Sequence, residues 1–146
     1  MADDLTPTAV ADVLQVSIGV FTRQLRQAPV DGGLTFSELL ALSRLERVGS
    51  ATTSDLARAE QITPQAMGST LAALEERGLV ERHADPADGR RVRMSMTKAG
   101  KKALRNRRDA RSEQMARVLA NRFTRAEMKA LIVAAPLIER LGEGLW

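Results

Sequence analysis

Cysteine and tyrosine are both absent from the 146 residues, and each absence closes off chemistry. Without thiols the chain has no disulfides, no thiolate metal ligands and no cysteine redox switch. The single histidine, His83, cannot build a multi-histidine metal site or pair with a second imidazole. Aromatic residues make up only 3%, so a core must come from Leu, Val, Ala and Met, which suits helices packed on helices better than a large sheet. No apolar run approaches the roughly 20 residues needed to cross a membrane. The start, Met1-Ala2-Asp3-Asp4-Leu5, lacks the basic-then-apolar pattern of a secretory signal. A soluble cytoplasmic protein without a membrane partner is expected. Also missing are a nucleophile–base pair, a phosphate-cradling glycine loop and a metal-ligand cluster. The sequence therefore offers no catalytic residue, metal site or cofactor, and an enzyme is the least supported class.

What is present is one domain's length of chain, 44% hydrophobic, with an uneven charge. The formal net charge is only +4. Between Arg82 and Arg111, however, eleven Lys and Arg stand against three Asp. Such asymmetry suggests a surface that meets an anion, of which a phosphate backbone is the commonest large example. A solvated charged helix is the plainer alternative.

Helix punctuation is legible throughout. Thr6-Pro7 pairs an N-cap with proline at the first helical position, and Val10, Val13, Leu14, Ile18, Phe21 and Leu25 follow at helical spacing. Pro29 and Gly32-Gly33 are expected to end that helix. Thr35 and Glu38 form a capping box for a second helix, with Leu34 and Leu39 as its hydrophobic staple, running to Gly49. Thr52 or Thr53 caps a short third helix, and Thr63-Pro64 opens a fourth that Gly78 closes. Leu79–His83 and Val92–Met96 read as short strands, joined by the turn-rich, basic stretch 84–91. Thr97 caps a fifth helix whose polar middle, Arg105 to Gln114, suggests a bridge across solvent. A second capping box, Thr124 and Glu127 with staple residues Phe123 and Met128, opens the last helix, which Pro136 should bend.

Three short helices followed by a two-stranded hairpin make a winged helix-turn-helix. The expected fold is mainly α with a small β-hairpin wing, plus terminal helices. At about 100° per residue, Met67, Leu71 and Leu74 share one face of the fourth helix. Gln65 and Ser69 share the other, flanked by Pro64 and Gly68. Small or short polar groups near a helix N-terminus suit entry into the major groove, and Gln65 can bond an adenine edge in two places. Arg90 and Arg91 follow Asp88-Gly89 at the hairpin tip, from which an arginine can enter the minor groove. Asp88 is placed to hold Arg90 through a charge-assisted pair.

The segments Leu74-Glu75-Glu76-Arg77-Gly78-Leu79-Val80-Glu81-Arg82, Asp85-Pro86-Ala87-Asp88-Gly89-Arg90-Arg91 and Met96-Thr97-Lys98-Ala99-Gly100 together resemble the core of the MarR (multiple antibiotic resistance regulator) family. That family reads "LE-x-x-GLV-x-R", "D-x-D-x-R" and "LT-x-x-G" at this spacing. The resemblance implies a homodimeric transcriptional regulator, a repressor in expectation, bound to a pseudo-palindromic double-stranded operator. By position, Arg90 would be the wing-tip arginine with Asp88 its partner. Gln65 and Ser69 would face the groove, and the start of the third helix, near Thr53 and Ser54, would meet phosphate. The resemblance further implies residues 1–34 and 98–146 as a dimerisation region around a DNA-binding region at 35–97. It also implies a small aromatic or phenolic anion as a candidate effector, at a site the sequence does not identify. Two departures stand out. Ser69 occupies a position where many relatives carry arginine, which makes base readout less guanine-directed, and Met96 stands where Leu is usual. A winged helix that binds another protein, and a sequence-indifferent DNA-coating protein, are the rival readings.

Overall fold

The computed structural model describes residues 5–28 and 33–145. The expectations placed on residues 1–4, on Pro29 and Gly32, and on Trp146 lie outside them. Helix α1 (Pro7–Gln27) starts as expected, with the Thr6 hydroxyl accepting from the Ala9 N–H at 3.2 Å. Helix α2 (Phe36–Val48) opens on the complete Thr35/Glu38 capping box. Strand β1 (Ser50–Ala51) follows, then α3 (Thr53–Ala59) and α4 (Pro64–Glu76). Thr52 is the cap of α3, its hydroxyl accepting from the Asp55 N–H at 3.2 Å, so Thr53 becomes the first helical residue.

The hairpin consists of β2 (Val80–Ala84) and β3 (Val92–Met96) in antiparallel register, with Arg82 opposite Met94. It is not a free two-stranded ribbon. Strand β1 pairs with the other edge of β3, making a three-stranded sheet in the order β1-β3-β2. A two-residue strand has no alternation to betray it, and Ser50-Ala51 reads locally as a linker. Helix α5 (Lys98–Arg122) and α6 (Arg125–Glu143) complete the chain, α6 with its own full capping box at Thr124 and Glu127.

The core lies between α2, α3, α4, the sheet and the first half of α5. Leu42, Leu45, Leu56, Met67, Leu74, Met94 and Leu104 are among its fully buried members. Each such side chain contributes roughly 1.5–3 kcal/mol of apolar burial. The middle of α5 departs from the expected solvent bridge, because Arg107 is buried there. Its Nε and Nη1 have no hydrogen-bond partner. Arg111, one turn on, donates to the carbonyls of Leu25 and Ala28 at the end of α1. Burial, and then the neighbouring Arg107 charge, lowers its pKa.

The junction of α4, β2 and α5 is tightly specified. Gly78 takes φ +70°, its N–H bonds the Glu75 carbonyl, and the Leu79 N–H reaches the Leu74 carbonyl at 2.9 Å. This Schellman turn satisfies the last carbonyls of α4. Across it the Thr97 hydroxyl donates to the Gly78 carbonyl at 2.7 Å, and the Thr97 N–H to that of Leu79 at 3.1 Å. Gly100 then packs so closely that an added Cβ would overlap the Leu79 carbonyl oxygen. Gly100→Ala should therefore destabilise the fold by about 1–3 kcal/mol, measurable by urea denaturation. An unchanged midpoint would show that α5 does not need this approach.

Candidate nucleic-acid interface

Helix α4 is held by one face. Met67, Leu71 and Leu74 are buried against the core, whereas Pro64, Gln65, Ser69 and Ala72 are exposed and Gly68 is half-buried. Thr63 caps the leading end, its hydroxyl accepting from the Ala66 N–H at 3.1 Å. The angle between α3 and α4 is fixed at their turn. Gln61 adopts φ 55°, a positive value unusual for a residue with a side chain. The Ile62 N–H meanwhile returns to the Ala57 carbonyl at 3.0 Å. Arg44 on α2 holds the same turn through its Nε, 2.9 Å from Glu60 Oε1.

The wing is built by its aspartates. Asp85, almost fully buried, accepts from the Ala87 N–H at 2.8 Å. Asp88 accepts from the backbone N–H of Arg90 at 3.0 Å, and its carbonyl from that of Arg91 at the same distance. The expected pairing of Asp88 with the Arg90 guanidinium is replaced by this backbone bond, because a short side chain in a tight turn reaches its own main chain first. The Arg90 guanidinium has no ion-pair partner among the described residues and stays exposed at the tip. Arg91 turns back, with Nη2 3.9 Å from Asp55 Oδ2 on α3. The wing is thereby drawn to the helix start where Thr53, half-buried, and Ser54, exposed, sit.

One contributor was not singled out from sequence. Arg93 on β3 donates through Nε to Ser50 Oγ at 2.9 Å, through Nη2 to the Ser50 carbonyl at 2.7 Å, and through Nη1 to Asp85 Oδ2 at 3.4 Å. It thus ties β1 to the neck of the wing. The Ala87 N–H and the Arg93 guanidinium, outweighing burial, hold the Asp85 carboxyl below its ordinary 3.8. A depressed carboxylate stabilises the fold above its ordinary pKa, and this is lost as pH falls through the lowered value. At neutral pH the neck is therefore locked. From sequence Arg93 is only part of a short strand, since its partner Ser50 lies on the strand that sequence did not reveal.

Residues 32–91 match the MarR family profile. The chain is 33% identical over 129 residues to the HTH-type transcriptional regulator MT0903.1 of Mycobacterium tuberculosis (strain CDC 1551), covering 88% of this chain and 90% of that one. It is 35% identical over 111 residues to the HTH-type transcriptional repressor Rv2887 of M. tuberculosis (strain H37Rv), covering 75% and 76%. Among solved structures, a candidate transcriptional regulator from Pseudomonas aeruginosa superposes with a TM-score of 0.76 at 31% identity, over 93% of this chain and 94% of its own.

If Arg93 positions the wing, Arg93→Ala should weaken DNA binding about tenfold, equivalent to about 1.4 kcal/mol, with helix content unchanged. Arg93→Lys should recover only part of this, since an ammonium lacks the planar fork that spans Ser50 and Asp85. Equal affinities for the three proteins, by fluorescence anisotropy, would remove Arg93 from the interface.

Proposed function

The chain belongs to the MarR family and is a DNA-binding transcriptional regulator; from that premise we propose that it represses transcription as a homodimer on a pseudo-palindromic operator. The observation that carries the DNA contact is the polarity of α4, anchored by Met67, Leu71 and Leu74 and presenting Pro64, Gln65, Gly68 and Ser69 outward. In this reading Gln65 and Ser69 meet base edges in the major groove. Thr53 and Ser54 meet phosphate at the start of α3, and Arg90 enters the minor groove. Asp88 shapes the wing tip, and Arg91 braces it against Asp55.

The dimer reading rests on the terminal helices. Neither α1 nor α6 buries a single residue within the described chain, although both are amphipathic. Val13, Phe21, Leu131, Ile132, Leu137 and Leu141 are all exposed. An apolar groove of about 730 Å³ between α1, α5 and α6 is lined by Phe21, Leu25, Met115, Leu119 and Ile132. Apolar area on this scale calls for a partner, and two-fold symmetry supplies one in a second copy. Residues 1–34 and 98–146 are accordingly proposed as the dimerisation region and 35–97 as the DNA-binding region. Arg111 at the edge of the groove, with the unpartnered Arg107 beside it, favours a small aromatic or phenolic anion as effector.

A gel-shift titration on the chain's own upstream DNA and on a scrambled duplex, at two salt concentrations, tests the central reading. Preferential, steeply salt-dependent binding is expected, weakened when benzoate is added as an effector probe. Equal binding to both duplexes would favour DNA coating, and no binding would favour a protein-binding module. Arg90→Ala should flatten the salt slope by about 1, and Gln65→Ala should relax preference at one base pair by about 1–3 kcal/mol. Unchanged behaviour in either variant would remove that residue from the interface.

Sedimentation equilibrium should return about twice the 15.9 kDa chain mass, and Ile132→Glu should shift it toward the single-chain value. A wild-type mass of one chain would contradict the dimer.

A further inference from the structure

The basic stretch noted in the sequence is divided by the fold. Arg90 and Arg91 go to the wing, Arg82 pairs with Glu75 at 2.9 Å and Arg93 with Asp85. All of the remainder lies on α5. Successive helical positions are about 100° apart, so Lys98, Lys101, Lys102, Arg105 and Arg108 fall within an arc of about 120°. They lie opposite the buried Gly100, Leu104 and Arg107. All five are exposed. Arg108 is paired with Glu46 at 2.7 Å, but the other four have no ion-pair partner among the described residues. Asp109 is the sole acid on this half of the helix.

Helix stability opposes such an arrangement. Lys98 and Lys102, like Lys101 and Arg105, are like charges at i,i+4 spacing and repel. They also crowd the positive end of the helix dipole, where acids stabilise and cations do not. The first turn of α5 contains no acidic residue at all. A stripe that works against its own helix is accounted for by an anion outside the chain.

The recognition face does not account for it. The start of α5 is bonded to Gly78 and Leu79, at the trailing end of α4. The 13 residues of α4 put this about 20 Å from the leading Pro64–Gln65 end. The stripe therefore lies apart from Pro64 and Gln65 at the leading end, which are proposed to meet the groove. We infer that the exposed face of α5 from Lys98 to Arg108 is a second, sequence-indifferent surface for the phosphate backbone of DNA, separate from the recognition helix and wing. Cations along one helix face neutralise phosphates without reading bases, and each phosphate adds about 0.9 to the salt slope.

The test compares wild type with the fourfold variant K98Q/K101Q/K102Q/R105Q in the full chain, by anisotropy salt titration on a 30-bp (roughly three-turn) mixed-sequence duplex. The variant should bind at least about tenfold more weakly at low salt, with a slope shallower by about 3.6. Its Tm should equal or exceed that of wild type, because the self-repulsion is gone. Its preference for the upstream duplex over a scrambled one should survive, because α4 and the wing are untouched. Unchanged affinity and slope would overturn the proposal and leave the stripe to an acidic protein. Loss of sequence preference would place the stripe within the recognition face, and a lower Tm would assign the charges to the fold; both overturn it. A wild type that binds no duplex fails the DNA-binding reading as well, whereas a wild type and variant that bind equally fail this inference alone.

Discussion

The burial of Met67, Leu71 and Leu74 along one side of α4 governs what a DNA duplex can meet. Three apolar side chains at helical spacing fix the rotation of the helix about its axis. That rotation decides that Gln65 and Ser69 face outward, with the exposed Glu76 on the same side at the trailing end of the helix. The axial position is fixed by the Schellman turn at Gly78 and the close approach of Gly100 to the Leu79 carbonyl. The tilt against α3 is set by Gln61 and the Arg44–Glu60 pair. Rotation, advance and tilt are thus each held by a separate contact, none of which involves a residue proposed to touch DNA.

Charge is handled differently on the helix and on the wing. Helix α4 carries no Lys or Arg from Pro64 to Glu76 and presents short polar groups, while Arg90 and Arg91 sit on the wing. There the carboxylates of Asp85 and Asp88 are turned inward to organise backbone, and Asp55 restrains Arg91. Acidic residues in a surface meant for phosphate would repel it if they pointed outward. Turned inward they stiffen the loop and leave the Arg90 guanidinium uncompensated. Under the proposed function this division gives the wing the electrostatic attraction and the helix the base reading.

Much of this was legible in the residues because helix caps are local. Thr6-Pro7, the Thr35/Glu38 and Thr124/Glu127 boxes and Gly78 each act within four or five positions, so the helix order followed directly. The two faces of α4 were legible for the same reason. What escaped depended on distant partners. Strand β1 is too short to show a period, and without it neither the third strand nor the Ser50–Arg93–Asp85 tie could be placed. The burial of Arg107 was hidden because its neighbours Arg105 and Arg108 do face water. Asp88 was assigned to the correct turn but to the wrong atom of Arg90, since pattern identifies neighbours and not the donor chosen. The exposed apolar faces of α1 and α6 were readable as stripes, while what covers them is a property of the assembly.

Two copies of α4 and its wing are proposed to engage one operator, with the bases read between wing contacts. Hydroxyl-radical footprinting of the protein on its own upstream DNA addresses this most directly. Two symmetric protected segments are expected, centred about one helical turn, roughly 10 base pairs, apart or a multiple of that, each with minor-groove protection on its outer flank where Arg90 would enter. Uniform protection along the duplex, or a single asymmetric patch, would contradict it.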